Sequence, residues 1–532
     1  MLLFRFMKWW PGPRCWTHGF ALALALLLGG AFLIPGTAGS AVLGLLAAGG
    51  IVALVRLGEG RSLAPYYVCG TLAHLVGFHW IPGSIVRFGG FSWPVALLCF
   101  LAFALVFALQ FSLFGWLCRH TPASLRNWFL DVPLAWLTAE MLVPHVFPWS
   151  LAQTQIPIVP FSSLAEFCGV PLLSALLLWV AAALFEGIRR ARLRQWSPRA
   201  LAVGSVGLAL LTIGWIADAR AQHIRAAAKT YKLGLVQCNA NPGAEGDRGD
   251  ALEVCRRLSK EAAGQGAELV IWPESVNRSG IPGRLTALRG TRFDPAPELD
   301  VPLVFGAVIF TQKSPEEWSL EGTERSLKFS AALALSAEGA ITSRYHKRRL
   351  MPFGEYVPFA SWFPWLKKLS PRTGNFAAGR SADPLNVRLG ENNVKLGALI
   401  CYEDLVPGLA GEAAMRGAGI LVNQTNDAWY GDTVEPYQHH LLAQWRAIET
   451  RRYLLRVTNT GYTTVVDSSG QIEASLPTFQ GGLLVHDVPD LAGRTLFMRV
   501  GSLPAWLGVG WTWVAVILSW RSLRAARQPI QR

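Results

Sequence analysis

The segment FSWPVALLCFLAFALVFALQFSLFGWLC, residues 91–118, contains no charged side chain. About 20 consecutive apolar residues are enough for a helix to cross the hydrocarbon of a bilayer, so this segment predicts a membrane span. The composition of the chain agrees, because 52% of its 532 residues are hydrophobic and 16% are charged, against about 25% in soluble domains. This apolar content excludes a disordered chain, and 8 Cys are too few for a small disulfide-stapled scaffold.

Similar apolar stretches lie on both sides of residues 91–118. They predict about eight spans: 19–35, 40–56, 63–81, 92–117, 127–143, 170–187, 200–217 and 503–520. The weakest is 127–143, which includes Glu140; an acidic residue within a span normally faces protein or water rather than lipid.

Basic residues are distributed unevenly among the connections between these spans. With eight crossings, sixteen Lys and Arg residues fall on one side, whereas the short connections on the other side contain one, Arg87. Cytoplasmic loops collect Lys and Arg, so both termini are predicted to be cytoplasmic. A cleavable signal peptide within residues 1–40 is the alternative for the first span, but six further spans disfavour it. The net charge of +14 is explained by topology signals rather than by nucleic-acid binding.

The chain therefore divides into a membrane domain at 1–217, an extracytoplasmic domain at 218–502, and a last span with a basic tail at 503–532. In the middle domain, short β-rich runs alternate with helical stretches, which indicates a buried sheet covered by helices. Strands are predicted at 231–238, 268–272, 301–310, 329–336, 393–401, 419–423, 453–459 and 462–467, and helices at 246–264, 405–416 and 436–452.

Residues 351–376 of this middle domain are rich in both aromatic residues and proline. Trp362 and Phe363 lie at the centre of the stretch. An exposed patch of this kind is typical of a binding surface or a membrane contact. The alternative is that these side chains pack on the domain itself.

Three residues of the middle domain are candidates for covalent chemistry. Cys401 ends the apolar run LGALIC, where a thiol with neighbouring carboxylates could act as a nucleophile; a free Cys is also often a small buried hydrophobe. Glu274 follows a predicted strand, where burial would raise its pKa toward that of a general base, although a surface turn glutamate is the plainer interpretation. Lys347 is one of three consecutive cations, so composition alone does not single it out.

The order Glu274, Lys347, Cys401, each at or after a strand end, resembles the nitrilase superfamily. Further motifs are similar to those of bacterial apolipoprotein N-acyltransferases, and the similarity covers essentially the whole chain. These motifs are FPW (147–149), WPES (272–275), YHK (345–347), LMPFGEYVP (350–358), ICYED (400–404), NQTNDAWYG (423–431) and QHHLLAQWRAIETRRYLLRVTNTG (438–461).

The resemblance implies a polytopic α-helical membrane domain of about eight helices plus a nitrilase-like αββα sandwich. It implies an enzyme of the bacterial inner membrane, with its catalytic domain in the periplasm. The implied reaction moves a fatty acyl chain from a phospholipid, expected to be the sn-1 chain of phosphatidylethanolamine, to the α-amine of a diacylglyceryl-cysteine at the N-terminus of an apolipoprotein. The chain passes through a Cys thioester, in the final step of lipoprotein maturation.

The resemblance also implies roles for individual residues. Cys401 would be the nucleophile, Glu274 the general base and Lys347 the oxyanion stabiliser. Glu355 and Glu403 would support the site. Residues expected to line the acyl pocket or to form a lid are Tyr402, Trp429, Trp362 and Phe363.

Other functions remain as alternatives. A membrane-tethered nitrilase-type amidase would hydrolyse its acyl-enzyme with water, whereas a transferase must exclude water until the amine arrives. A transporter is disfavoured because Glu140 is an isolated charge among the apolar residues of the spans, and a non-catalytic scaffold is disfavoured by the intact set of three residues.

Several further expectations concern cofactors, partners and cysteines. We expect no cofactor, no metal and a monomer. His439 and His440 lack a matching ligand cluster in the sequence and are interpreted as surface or helix-facing residues. Cys238 and Cys255 could pair in an oxidising compartment, but both are predicted to be reduced.

Overall fold

The computed structural model describes residues 12–57, 62–121, 128–195, 198–240, 247–312, 326–369 and 373–525. The chain forms two compact units. The helical unit takes the described residues up to Pro82, those of Pro94–Asp218 and those from Val500 onward. The sheet unit takes Gly83–Trp93 and the described residues of Ala219–Arg499. The domain boundaries at 217/218 and 502/503 stay a prediction.

Helices account for most of the regular structure outside the two sheets. In chain order they are α1 (Gly12–Leu33), α2 (Ala38–Leu57), α3 (Ala64–Gly77), α4 (Ile81–Gly89), α5 (Trp93–Phe107), α6 (Leu109–His120), α7 (Trp128–Leu142), α8 (Val159–Ser162), α9 (Ala165–Arg192), α10 (Pro198–Ala227), α11 (Asp247–Gly264), α12 (Leu366–Leu369), α13 (Pro407–Met415), α14 (Glu435–Thr450), α15 (Leu496–Val500) and α16 (Leu503–Ala525).

The predicted spans all overlap helices. Among the described residues, five helical segments are long and apolar enough to cross a membrane: Ala38–Arg56, Trp93–His120, Ala165–Arg192, Ala200–Ala227 and Leu503–Arg521. Gly19–Leu33 is a shorter apolar helix. The presence of membrane-spanning helices is therefore confirmed, while the count of eight stays a prediction.

Glu140, the acidic residue of the weakest predicted span, faces protein. Its Oε2 accepts a hydrogen bond from Trp136 Nε1 at 2.9 Å, and its Oε1 accepts one from Ser150 Oγ at 2.6 Å. These two donors explain how a carboxyl group is accommodated in an apolar helix.

Two sheets form the framework of the sheet unit. Their strands are β1 (Thr230–Gln237), β2 (Leu269–Ile271), β3 (Asn277–Pro282), β4 (Leu303–Gln312), β5 (Ser326–Leu335), β6 (Ile341–His346), β7 (Leu385–Leu389), β8 (Asn392–Ile400), β9 (Ile420–Thr425), β10 (Tyr453–Thr458), β11 (Thr464–Val466), β12 (Ile472–Ser475) and β13 (Gly482–Pro489). The first sheet has the order β13-β1-β2-β4-β5-β6, with β3 beside β4, and the second has the order β12-β11-β10-β9-β8-β7.

All eight predicted strands are present, within a few residues of their expected ends. The sequence missed β3, β6, β7, β12 and β13. Four of these lie at a sheet edge and the fifth, β3, pairs with β4 beside the main order of the first sheet. Strands in such positions are partly exposed and carry polar residues, so they lack the continuous apolar run that marks a central strand.

The two sheets pack face to face. Their inner faces share one apolar core, which includes Leu235 and Ile271 from the first sheet and Leu396 and Val422 from the second. Helix α11 covers the outer face of the first sheet, and α13 and α14 cover the outer face of the second. The unit is thus a layered αββα sandwich, as predicted.

Cys238 and Cys255 form a disulfide, with their Cα atoms 5.3 Å apart. The prediction that both are reduced is wrong. Cys238 follows β1 and Cys255 lies on α11, which packs on the outer face of the same sheet. This packing brings the two residues together, and a sequence separation of 17 does not reveal it.

Candidate active site

The three predicted catalytic residues follow the carboxyl ends of three strands. Glu274 follows β2, Lys347 follows β6 and Cys401 follows β8. The side-chain amide of Gln424, near the end of β9, donates to the Trp272 carbonyl at 2.6 Å. This bond joins the ends of the two sheets where the three residues meet.

Lys347 lies at the centre of the cluster. Its Nζ is 2.9 Å from Glu355 Oε1 and 3.5 Å from Glu274 Oε1, and its side chain is only 1% exposed. The Cys401 thiol is close enough to Lys347 and Glu274 for each of them to change its pKa. The structure therefore brings together the predicted base, cation and nucleophile.

Cys401 occupies a sharp turn between β8 and the 3₁₀ turn Cys401–Leu405. Its φ of +49° lies in the left-handed region, which costs a non-glycine residue energy and is found at functional turns. Strands β8 and β9 run parallel with Ile400 opposite Gln424, so Cys401 comes beside Thr425. The Thr425 hydroxyl forms a hydrogen bond with the thiol, and Asn423 Nδ2 donates a hydrogen bond to the Cys401 carbonyl at 3.1 Å.

Glu274 depends on a glycine of the neighbouring strand. A Cβ added at Gly306 of β4 would lie 2.7 Å from Glu274 Cα and 2.6 Å from the Ser275 nitrogen. No side chain fits there without displacing the main chain that carries Glu274. Glycine is therefore required at position 306, because the main chain that carries Glu274 approaches it so closely.

The charges of the cluster define its resting state. Burial raises the pKa of the Cys401 thiol and Glu274 raises it further, so the thiol is protonated at neutral pH. Burial also raises the pKa of Glu274, against the opposing effect of Lys347. Burial lowers the pKa of Lys347, but the carboxylates of Glu274 and Glu355 more than offset this, and the ammonium stays charged.

The two predicted supporting residues fix the loops that carry Lys347 and Cys401. Glu355 Oε2 accepts the Met351 N–H at 2.8 Å while its other oxygen contacts Lys347. Glu403 Oε2 accepts the Ile400 N–H at 2.8 Å, and its Oε1 accepts the Arg348 N–H at 2.7 Å. Glu403 thus ties the residue before Cys401 to the residue after Lys347.

The predicted pocket or lid residues lie in two different settings. Tyr402 is half-buried next to Cys401, and the ring of Trp429 contacts Phe88 edge-on at 4.8 Å between centroids. Trp362 is 75% exposed and Phe363 is 49% exposed. The structure therefore leaves these last two on the surface, outside the buried cluster.

Sequence reasoning missed a second, fully buried charge cluster. His439 Nε2 donates to Asp404 Oδ1 at 2.9 Å, and His439 Nδ1 donates to Asp427 Oδ1 at 3.2 Å. Arg456 Nη1 donates to Asp427 Oδ2 at 3.1 Å. His439 and His440 are both buried, so the interpretation of them as surface residues is wrong. An arginine within the apolar run of β10 was the available signal for this cluster.

The same cluster contains three groups with metal-ligand chemistry, Asp427, Glu435 and His439, whose ligand atoms lie within 4.8 Å of one another. Burial lowers the pKa of His439, but Asp404 raises it more, to about 10. The imidazolium has no lone pair for a metal. Arg456 and His439 together balance the two aspartates, and burial raises the pKa of Glu435 well above its ordinary range. The charges are thus compensated by the chain itself, which does not favour a cation.

Two family models match the chain, "Carbon-nitrogen hydrolase" over residues 232–495 and "Apolipoprotein N-acyltransferase N-terminal domain" over residues 24–183. Proteins named apolipoprotein N-acyltransferase are similar along most of it. The one from Azotobacter vinelandii is 31% identical over 86% of each chain. The one from Vibrio cholerae is 30% identical over 87% of this chain and 90% of its own.

The chain belongs to the apolipoprotein N-acyltransferase family. A further relative, from Geobacter metallireducens, is 29% identical over 86% of each chain. The predicted family is thereby confirmed, and with it the combination of membrane helices and a nitrilase-like sandwich. The carbon-nitrogen hydrolase match includes both buried clusters described above. The acyltransferase N-terminal match extends from α1 into α9.

Proposed function

We propose that this protein transfers a fatty acyl chain from a phospholipid to the α-amine of the diacylglyceryl-cysteine at the N-terminus of apolipoproteins. The sn-1 chain of phosphatidylethanolamine is the proposed donor. The observation that carries the proposal is Lys347, a buried side chain whose Nζ lies 3.5 Å from Glu274 and 2.9 Å from Glu355, in the same cluster as the Cys401 thiol. The acceptor amine is inferred from membership of the acyltransferase family.

In the first half-reaction Glu274 takes the thiol proton as Cys401 Sγ attacks the donor's ester carbonyl. The oxygen of that carbonyl becomes negatively charged, and the Lys347 ammonium stabilises it electrostatically. The ester C–O bond then breaks, and the proton on Glu274 passes to the departing alkoxide. The products are a lysophospholipid and a thioester on Cys401.

In the second half-reaction the lipoprotein amine attacks the thioester carbonyl. Glu274 now accepts a proton from the amine, and the Cys401 thiolate leaves and is reprotonated. An amide forms and the free enzyme returns, so the kinetics are ping-pong. Glu355 and Glu403 are positioning residues in both halves, because each holds the loop that carries Lys347 or Cys401.

The substrates are held by their acyl chains, each buried CH₂ contributing about 0.8 kcal/mol. Tyr402 and Trp429 are proposed to line the acyl pocket, because they lie in the turns that carry Cys401 and Asp427. Trp362 and Phe363 are proposed to enter the lipid surface as a lid or arm. Their exposure supports this, because large aromatic side chains left uncovered are typical of a lipid or partner contact.

We further propose that the protein is a monomer of the bacterial inner membrane, with eight spans, cytoplasmic termini and a periplasmic sheet unit. The sixteen-to-one division of basic residues supports this orientation. The Cys238–Cys255 disulfide supports it independently, because such bonds persist in oxidising compartments such as the periplasm.

The test is intact mass spectrometry of the full-length protein after incubation with phosphatidylethanolamine. The expected result is a gain of one fatty acyl mass that hydroxylamine removes. Cys401→Ala is expected to show no gain, since it lacks the thiol. An equal adduct on the variant, or none on the wild type, would contradict the proposed nucleophile.

A further inference from the structure

A long apolar cleft lies inside the helical unit, between α2, α9 and α10. Its volume is 1270 Å³, and it is partly open to the surroundings. Pockets for drug-sized ligands usually measure about 300–1,000 Å³. The lining side chains are almost all apolar, among them Leu45 from α2, Leu177 and Val180 from α9, and Leu208 from α10.

The space exists because several residues on the facing helices are small. Gly187 of α9 and both Gly204 and Gly207 of α10 line the cleft. A Cβ at Gly204 would meet nothing within 4 Å, and one at Gly207 would meet only Val180, at 3.8 Å. Small residues usually let membrane helices approach closely. Here they border an open volume instead.

The length and setting of the cleft suit an acyl chain. Its α9 wall extends from Leu176 to Ala191, which at a rise of 1.5 Å per residue is about 23 Å. One leaflet of bilayer hydrocarbon is about 15 Å deep. Both α9 and α10 contain candidate membrane spans, so we expect lipid hydrocarbon to surround the cleft.

One end of the cleft is polar and basic, where Arg194 and Gln195 line it just beyond α9. The nearby Arg189 and Arg190 pair with Glu186, at 2.8 Å and 2.7 Å. Arg194 instead contributes its cation to the cleft mouth. A guanidinium at this position suits a phosphate.

We propose that this cleft binds one phospholipid, with an acyl chain along α9 and α10 and its phosphate at Arg194, and that it prefers an anionic headgroup. Every lining residue belongs to the helical unit, whereas Cys401 belongs to the sheet unit. The proposed lipid site therefore contains none of the residues assigned to acyl transfer, and its occupancy can be tested apart from that reaction.

Native mass spectrometry of the full-length protein in detergent tests this site. The Cys401→Ala background is used so that no lipid is consumed, and dioleoylphosphatidylglycerol or dioleoylphosphatidylethanolamine is added. Gly204→Leu with Gly207→Leu fills the cleft and is expected to bind one phospholipid fewer. The matched control is Gly510→Leu on α16, where an added Cβ also meets nothing within 4 Å; it is expected to bind as many as the parent.

Arg194→Gln provides a second test that leaves the helix packing alone. It is expected to weaken binding of phosphatidylglycerol about fivefold. Binding of phosphatidylethanolamine should weaken less, because its ammonium already offsets the charge of its phosphate. The proposal is overturned if the filled variant, shown to be folded by thermal unfolding, binds as many lipids as the parent. It is also overturned if Gly510→Leu loses the same lipid, or if Arg194→Gln leaves the headgroup preference intact.

Discussion

Lys347 and Trp362 lie in the same connection after β6, yet they occupy opposite environments. Lys347 is 1% exposed and held by two carboxylates, whereas Trp362 is 75% exposed. The difference shows that buried and exposed parts of the same connection are suited to different roles. Buried charges supplied by the unit itself position the proposed reacting groups, whereas the exposed aromatic residues are free to contact a surface outside the unit.

The buried half of this comparison is tested most strongly by Glu274→Gln. The variant cannot accept a proton, so acyl transfer is expected to slow by about 10²–10⁴-fold. Burial raises the pKa of Glu274 above its ordinary value of 4.5. Wild-type activity should therefore be maximal at pH values above this raised pKa and should fall as the pH drops through it. A pH–rate profile of both proteins measures this.

The exposed Glu338→Gln is the matched control, because the same change at a surface position should alter neither the rate nor the acid limb. An acid limb at the same pH in Glu274→Gln would show that another group is the base.

Glu403→Gln tests positioning rather than chemistry. The amide places an NH₂ group against the N–H donors of Ile400 and Arg348, so the turns carrying Cys401 and Lys347 should separate. A displacement of about 1 Å can cost roughly 10²-fold in rate. The expected result is a lower kcat with an unshifted acid limb, measured by acyl-transfer kinetics.

The control for this change is Glu412→Gln. Glu412 lies outside the cluster, and its Oε2 pairs with Arg348 Nη2 at 2.8 Å; the substitution removes the charge of this ion pair. A rate close to wild type is expected for it. If Glu403→Gln were as active as this control, Glu403 would not be a positioning residue.

The exposed half is tested by replacing Trp362 and Phe363 with Ser together. Turnover on phospholipid vesicles is expected to fall about tenfold, equivalent to losing roughly 1.4 kcal/mol of lipid contact. The thermal unfolding midpoint should change little, because Trp362 is mostly exposed and Phe363 is about half exposed. Phe310→Ser, at another exposed aromatic of the same unit, should keep its rate, and undiminished turnover in the double variant would argue against a lipid-dipping arm.

The smallest effect on activity is expected at the disulfide. Cys238→Ala with Cys255→Ala should lower the free energy of unfolding by about 3 kcal/mol, the value for a loop of roughly this length. Activity at 25 °C should be unchanged, since the pair lies outside the proposed catalytic cluster. Thermal unfolding with and without reductant measures this, and a wild-type curve that reductant does not move would contradict it.

The sequence predicted the features that depend on local pattern. Charge-free apolar stretches predicted the helices, and apolar runs predicted the central strands. Glu274, Lys347 and Cys401 were ordinary residues when considered singly, and only the resemblance connected them. The Asp404–His439–Asp427–Arg456 cluster and the disulfide were missed because packing between distant segments creates them. Edge strands were missed because one side of each carries polar residues.

The central claim is that Cys401 carries an acyl group to an amine. The most direct test isolates the acyl-enzyme and follows its intact mass after adding a peptide whose N-terminal cysteine bears a diacylglyceryl group. The account predicts rapid loss of the acyl mass with matching formation of the N-acyl peptide, and slow loss in buffer alone. Equal rates with and without the peptide, with release of free fatty acid, would contradict it and identify a hydrolase.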